Sequence, residues 1–166
     1  TRTAQEQKET FQNLLQEYVA DELNYSVITS VNDKLRDIAA EYANDPDIPV
    51  IDDIHVRDVL LDSGVSHECA EAVQKAYREE TKDSPIAVSN LVENKTTISL
   101  DGVTVSIGKD ATGKVRTQLV NGRRYLLIDL DDPAVQINGL TARITDAPAE
   151  EEPALAAEES AEETEA

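Results

Sequence analysis

The stretch that most constrains the fold is residues 115–129, VRTQLVNGRRYLLID, in which two β-forming runs flank Asn121-Gly122. A type I′ turn, a common two-residue connection between antiparallel strands, needs positive φ at both central positions. Asn tolerates that conformation and Gly adopts it freely. The spacing therefore predicts a tight hairpin with strands at 115–120 and 123–129.

A second hairpin is predicted immediately upstream. Asp101-Gly102 joins residues 96–100 to residues 103–107, where Val and Ile alternate with Thr and Ser as in a strand with one apolar face. Two hairpins so close together favour an antiparallel sheet as the core of the second half. The same texture predicts further strands at 87–92, 134–138 and 141–144.

The first half has helical periodicity instead. Thr3 and Glu6 have the spacing of a capping box, and the apolar stripe that follows predicts a first helix over 4–22. A second amphipathic helix is predicted over 27–43. Its stripe consists of Ile28, Val31, Leu35, Ile38 and Tyr42. Packing in the core explains this stripe; the alternative is a coiled-coil seam for a partner, but two heptads are too few to sustain one.

Two shorter helices are predicted after the Pro46 and Pro49 breaks. Asp52 or Asp53 can cap the third helix, and Gly64 supplies the left-handed residue that ends it. Ser66 caps the fourth helix, which ends before Pro85.

Together these patterns predict an α+β fold with segregated layers. Four helices run through about residue 82, and an antiparallel sheet built from hairpins begins at about residue 86. The predicted organisation is a helical subdomain at 1–83, a β subdomain at 84–145 and a disordered acidic tail at 146–166. The tail is expected to be disordered because it has one leucine and no positive charge, too little apolar surface to offset its ordering entropy.

The net charge of −19 is unevenly distributed. Residues 1–83 carry 19 acids and 8 bases, residues 84–145 carry 6 acids and 7 bases, and residues 146–166 carry 9 acids and no base. Nucleic-acid binding draws most of its affinity from basic surface, so no nucleic-acid partner is expected.

Other features of the sequence indicate where the protein is located. Cys69 is the only cysteine, which excludes an intrachain disulfide and fits a reducing, cytoplasmic location. No run of about 18 apolar residues offers a membrane span. The chain begins at Thr1 without a methionine or a leader pattern, so we expect a fragment of a longer polypeptide.

The turn at 62–66 between two short helices resembles a helix-turn-helix, and DNA binding is one alternative function. A recognition helix needs donors on its exposed face. Residues 67–81, HECAEAVQKAYREET, are instead net acidic and would be repelled by phosphate. The composition therefore favours a plain helical corner.

Three further patterns could indicate a metal, phosphate or carboxylate site. A zinc site would need His55, His67 and Cys69 together. His67 and Cys69 are two residues apart on a predicted helix, so their side chains face different directions. The segment 108–114, GKDATGK, resembles a phosphate-binding loop but continues into a strand without the required Ser or Thr. The last pattern is a group of carboxylates, Asp129, Asp131 and Asp132, which could serve acid–base catalysis or bind a cation. Aspartates just before a proline such as Pro133 are common in solvated turns, so a loop is the favoured interpretation. No catalytic, cofactor, metal or small-molecule site is predicted.

Several segments resemble a known family. They are QKETFQNLLQEYVADELNYSVITSVNDKL, VRDVLLDSGVS and QLVNGRRYLLIDLDD followed by VQINGL. Over roughly residues 5–140 the chain is similar to the C-terminal portion of an uncharacterised bacterial family, domain of unknown function 4317. The resemblance implies no activity, catalytic residue or cofactor, and it does not account for the acidic tail.

The predicted function is therefore a cytoplasmic, non-catalytic interaction or accessory module that binds a protein partner or itself. The alternative is a regulatory or structural half of an enzyme whose catalytic part lies upstream of Thr1. The candidate interaction patch is the basic surplus of the central hairpin: Lys114, Arg116, Arg123 and Arg124. Only one of the two adjacent arginines can share a strand face with Arg116. Decoration of an exposed hairpin for solubility and edge protection is the competing interpretation.

Overall fold

A computed structural model describes residues 1–144 of the chain. The helices of this part are α1 (Ala4–Tyr18), α2 (Tyr25–Glu41), α3 (Asp53–Asp62) and α4 (His67–Thr81). The strands are β1 (Lys95–Leu100), β2 (Val103–Gly108), β3 (Val115–Val120), β4 (Arg123–Ile128), β5 (Ala134–Ile137) and β6 (Leu140–Arg143). Short 3₁₀ turns occupy Ala20–Glu22, Val88–Asn90 and Thr112–Lys114. Four helices followed by antiparallel hairpins confirm the predicted fold class; the predicted tail at 146–166 lies outside the described residues.

The helices begin where the sequence places their caps. Thr3 accepts from the Glu6 amide, and the Glu6 carboxylate accepts from the Thr3 amide, so the capping box is complete. Asn24, Asp52 and Ser66 each accept a hydrogen bond from the backbone amide three residues on. These side chains satisfy amides that have no partner inside the helix, and this fixes each starting residue.

The predicted strand at 87–92 is wrong. Val88–Asn90 is a 3₁₀ turn, and in this segment Ala87 alone forms a β-bridge, with Val50. The apolar run has no alternation because its side chains enter the helical core from several directions. Ile86 and Val88 are fully buried, and Leu91 is 5% exposed. Here tertiary packing outweighs the β propensity of the residues.

The main core belongs to the helices and to this segment. Side chains from all four helices bury one another, and Tyr77, Leu35, Leu60, Ile86, Val56, Val73 and Val88 are among the most enclosed. Long-range hydrogen bonds hold this segment against α1. The Gln7 Oε1 atom accepts from the Ala87 amide at 2.8 Å and from Asn90 Nδ2 at 3.0 Å. The core of the helical half is therefore completed by the irregular segment that follows Pro85.

The β half consists of three separate two-stranded antiparallel sheets, β1–β2, β3–β4 and β5–β6. Asn121 and Gly122 have φ of 49° and 76°, as the predicted hairpin turn requires. Asn138 and Gly139, at 52° and 80°, form a second turn of this kind between the last two predicted strands. Alternation predicts pairing within a hairpin, but it does not determine whether neighbouring hairpins join, and here they do not.

The chain forms two compact units. The first is Thr1–Lys109, which contains the helices and the β1–β2 hairpin, and the second begins at Asp110 and contains β3 to β6. The predicted boundary at residues 83 and 84 follows secondary-structure class, a different criterion, and it stays a prediction.

Candidate functional site

The predicted basic patch lies on the β3–β4 hairpin. Its register pairs Arg116 with Leu127, Leu119 with Arg124 and Val120 with Arg123. Because side chains alternate between faces along a strand, Arg116 and Arg123 share one face and Arg124 lies on the other.

Two of the four basic residues already have carboxylate partners. Lys114 Nζ lies 2.6 Å from Asp131 Oδ2, and Arg116 Nη1 lies 3.2 Å from Asp129 Oδ1. The hydrogen bond to Asp131 raises the pKa of Lys114 above its ordinary value. Both pairs are exposed, so solvent screens the attraction and each pair contributes little to stability. These aspartates therefore hold basic groups of their own hairpin.

The other two arginines lie beside the turn and are exposed. Neither Arg123 nor Arg124 has an ion pair with any residue of the described range 1–144. Leu119, the strand partner of Arg124, is 57% exposed. We call Leu119, Arg123 and Arg124 the hairpin end. It combines one exposed apolar side chain with two guanidinium groups that have no ion pair in the described part of the chain.

Cys69, one of the three residues considered for zinc, belongs to a hydrogen-bonded cluster with Glu22 and Ser66. Glu22 Oε1 accepts from the Ser66 amide at 2.7 Å, and Glu22 Oε2 accepts from the Ser66 hydroxyl at 2.7 Å and from the Cys69 thiol at 3.2 Å. Across residues 1–144, no three histidine, cysteine or acidic side chains gather as metal ligands. The Glu22 carboxylate therefore joins the 3₁₀ turn after α1 to the start of α4.

The environment of Cys69 disfavours a reactive thiolate. A hydrogen bond with Ser66 acts to lower the pKa of the thiol. The hydrogen bond to Glu22, desolvation and the charges of Glu22 and Glu68 outweigh it, so the pKa lies above its ordinary value. Because the thiolate is the nucleophile and the metal ligand, the protonated thiol fits a structural role.

Glu22 should make the stability of this corner sensitive to acid. Hydrogen bonds from Ser66, first from its amide, lower the Glu22 pKa, so its stabilisation is present above the ordinary value of 4.5 and is lost as pH falls through the lower folded value. Glu22→Gln should reduce the melting temperature near neutral pH, and the difference from the unsubstituted protein should shrink below pH 4.5. Thermal melts across this range measure both effects. Glu17→Gln, at an exposed site, is the control; equal effects of the two substitutions would contradict the assignment.

The helical corner formed by α3 and α4 does not carry a basic face. Gly64, with φ of 100°, makes the turn, and α4 begins with Glu68 and Glu71 before its first base, Lys75. Arg78 pairs with Asp53 at 2.8 Å. A hydrogen bond from Gln74, followed by those from Arg78, keeps the Asp53 pKa below its ordinary value against partial desolvation. This charge distribution favours the interpretation as a plain helical corner.

The first unit also has concave features that the sequence patterns do not reveal. One is a largely apolar cavity of about 120 Å³ between α1 and α2, with Phe11, Leu15, Val31 and Leu91 among its lining residues. Another is a groove of about 310 Å³ lined by the end of α2, the linker that follows it and the start of α3.

Comparison with protein families gives one finding. The model of the family described as Domain of unknown function (DUF4317) matches residues 1–140. The chain belongs to this family. The resemblance drawn from the sequence is thereby confirmed, and the match includes α1 to α4 and the β3–β4 hairpin of this DUF4317 chain.

The other comparisons give no match, either to curated proteins or to solved structures. The family is one of unknown function, so the function of this DUF4317 chain has to be argued from its own residues. None of the helices found between residues 1 and 144 is long and apolar enough to cross a membrane.

Proposed function

We propose that this chain is a cytoplasmic, non-catalytic interaction module that binds a carboxylate-bearing protein partner through the hairpin end. The observation that carries the proposal is the contrast within one hairpin. Lys114 and Arg116 are neutralised by aspartates, whereas Arg123 and Arg124 are exposed and have no ion pair within the described chain.

The chemistry of the hairpin end suits an acidic partner. A guanidinium group binds a carboxylate through two parallel hydrogen bonds, which gives direction as well as attraction. Arg123 and Arg124 face opposite sides of the hairpin, so a partner segment would have to wrap the turn to meet both. Exposed Leu119 adds an apolar contact beside Arg124.

Charge over a longer range supports the same partner. The whole chain carries −19, but residues 110–144 carry five bases and four acids. An acidic partner is therefore repelled by most of the molecule and attracted to one small region. Such an arrangement favours one orientation of encounter over others.

The test measures binding of a fluorescent peptide with four glutamates around one leucine, by anisotropy at two salt concentrations. The double variant Arg123→Gln with Arg124→Gln should bind about tenfold more weakly or worse, since a charged hydrogen bond is worth about 1.5–3 kcal/mol. Binding by the unsubstituted protein should weaken with added salt.

The matched control is the double variant Lys114→Gln with Arg116→Gln, which removes the same charge from the same hairpin. Because those groups already have partners, this variant should lose less affinity. Equal losses would show a general effect of charge, and unchanged binding by the variant of Arg123 and Arg124 would overturn the proposal.

A further inference from the structure

The groove at the end of α2 has apolar side chains, unpaired backbone groups and acidic side chains in its lining. Its apolar lining comes from Ile38, Tyr42, Val50 and Ile51. Val50 is 59% exposed and Tyr42 is 43% exposed, so much of this apolar surface is open to solvent. The volume of about 310 Å³ lies at the lower end of the range for ligand sites, roughly 300–1,000 Å³.

At the groove the chain has one isolated β-bridge residue, Val50, whose outer edge is unpaired. On one side, the Ile51 amide donates to the Ile86 carbonyl at 3.0 Å, and the Val88 amide donates to the Pro49 carbonyl at 3.1 Å. In an antiparallel bridge with this pattern, the amide and carbonyl of the central residue, Val50, point away from the paired strand. Neither group takes part in a hydrogen bond within the described chain. An unpaired edge of this kind is the template for strand addition.

The polar lining of the groove selects the charge of its occupant. It contains the carboxylates of Glu41, Asp45, Asp47 and Asp52 and no lysine or arginine. Asp52 alone among them contacts a basic side chain in the described structure, the His55 ring at 2.7 Å. Partial burial acts to raise the Asp52 pKa, but hydrogen bonds from the His55 amide and ring bring it below its ordinary value. Four acidic side chains without a lysine or arginine beside them favour a positively charged occupant.

We propose that this groove binds an extended peptide segment of a partner protein in which lysine or arginine alternates with apolar residues. The peptide backbone adds to the Val50 edge. Apolar side chains contact Ile38 and Ile51, and basic side chains meet Glu41 and Asp47. The exposed Tyr42 ring offers a face for a cation. The site is distinct in place and in charge from the hairpin end, so it does not depend on the function proposed above.

The test uses a capped synthetic peptide of alternating lysine and valine, with binding measured by titration calorimetry. Glu41→Gln with Asp47→Asn should weaken binding at least tenfold. The same peptide with alternate amides N-methylated should also bind at least tenfold more weakly, because it cannot complete the strand edge. A peptide of alternating glutamate and valine should not bind.

The matched control is Glu68→Gln with Glu71→Gln, which removes two acids from α4 outside the groove. It should leave the affinity unchanged, as should Arg123→Gln with Arg124→Gln. Equal losses in the α4 control would show nonspecific attraction and overturn the proposal. An unaffected N-methylated peptide would overturn the strand addition, and failure of the alternating lysine and valine peptide to bind would overturn the whole.

A second copy of this chain is the competing occupant. Sedimentation without peptide distinguishes it. Self-association that is abolished by Glu41→Gln with Asp47→Asn would mean that the groove is an interface between copies, against the proposal. A monomer that still binds the basic peptide supports it.

Discussion

Replacing Tyr77 with alanine should destabilise the protein by about 3–5 kcal/mol, the usual cost of removing a fully buried aromatic side chain. Tyr77 lies on α4 and is fully buried in the helical core. Total stabilities are commonly about 5–15 kcal/mol, so this one change removes a large share of the total. Denaturation by urea, followed by circular dichroism, measures the loss.

The hydroxyl of Tyr77 contributes separately from its ring. It donates to the Ile51 carbonyl at 2.6 Å in a buried position, and burial raises its pKa well above the ordinary value. Tyr77→Phe keeps the ring but leaves that carbonyl without its partner, which should cost about 1–3 kcal/mol. Tyr42→Phe, at an exposed tyrosine, is the control and should be nearly neutral. A Tyr77→Phe protein as stable as the original would show that the carbonyl has another partner.

Features set by neighbouring residues could be predicted from the sequence. The Thr3 capping box, the Ser66 cap and the Asn121-Gly122 turn all form as expected, because each depends on residues no more than a few positions apart. The helices themselves end earlier than their apolar stripes suggest. α1 ends at Tyr18 instead of residue 22, where a 3₁₀ turn takes over.

Features set by distant residues could not be predicted. The segment after Pro85 is apolar and rich in β-branched residues, which is typical of a strand. Its amides donate to Gln7 and to the Pro49 carbonyl, however, and its Ile86 carbonyl accepts from the Ile51 amide. None of these partners is apparent from local periodicity. Whether neighbouring hairpins join into one sheet depends on which strand edges pair. The alternation of residues within a strand does not determine that pairing.

The candidate sites show the same division. The sequence identifies the arginines of the central hairpin and shows that only one of them shares a face with Arg116. It does not reveal that the chain after β4 brings Asp129 and Asp131 back to Arg116 and Lys114. Within residues 1–144, this leaves Arg123 and Arg124 as the hairpin arginines without an ion pair. The groove was missed because its linker reads as a proline break between helices. The available signal was the run of acids at 41–53 interrupted by exposed Ile48 and Val50.

The Asn32 side chain holds the end of the helical half through hydrogen bonds to Glu93, a residue 61 positions away in the sequence. Asn32 Nδ2 donates to the Glu93 carbonyl at 2.9 Å, and the Glu93 amide donates to Asn32 Oδ1 at 2.8 Å. Arg36 Nη2 donates to the same carbonyl at 3.2 Å, and Lys8 Nζ lies 2.9 Å from Glu93 Oε1. The chain is thus held to α1 and α2 just before β1 begins.

Asn32→Leu should destabilise the protein by about 2–3 kcal/mol, because it removes two hydrogen bonds of about 1 kcal/mol each and leaves the partly buried Glu93 amide unsatisfied. Hydrogen exchange should show the change locally, as faster exchange of the Glu93 amide, and urea denaturation gives the total. Asn32→Asp keeps the acceptor for the Glu93 amide and loses the donor to the Glu93 carbonyl. In this variant the Glu93 amide should therefore stay protected. Asn13→Leu, at an exposed position of α1, controls for the added apolar surface. If Glu93 exchanges equally fast in the original protein and in Asn32→Leu, the Asn32 side chain does not hold this segment, and the restraint must come from Arg36 and Lys8.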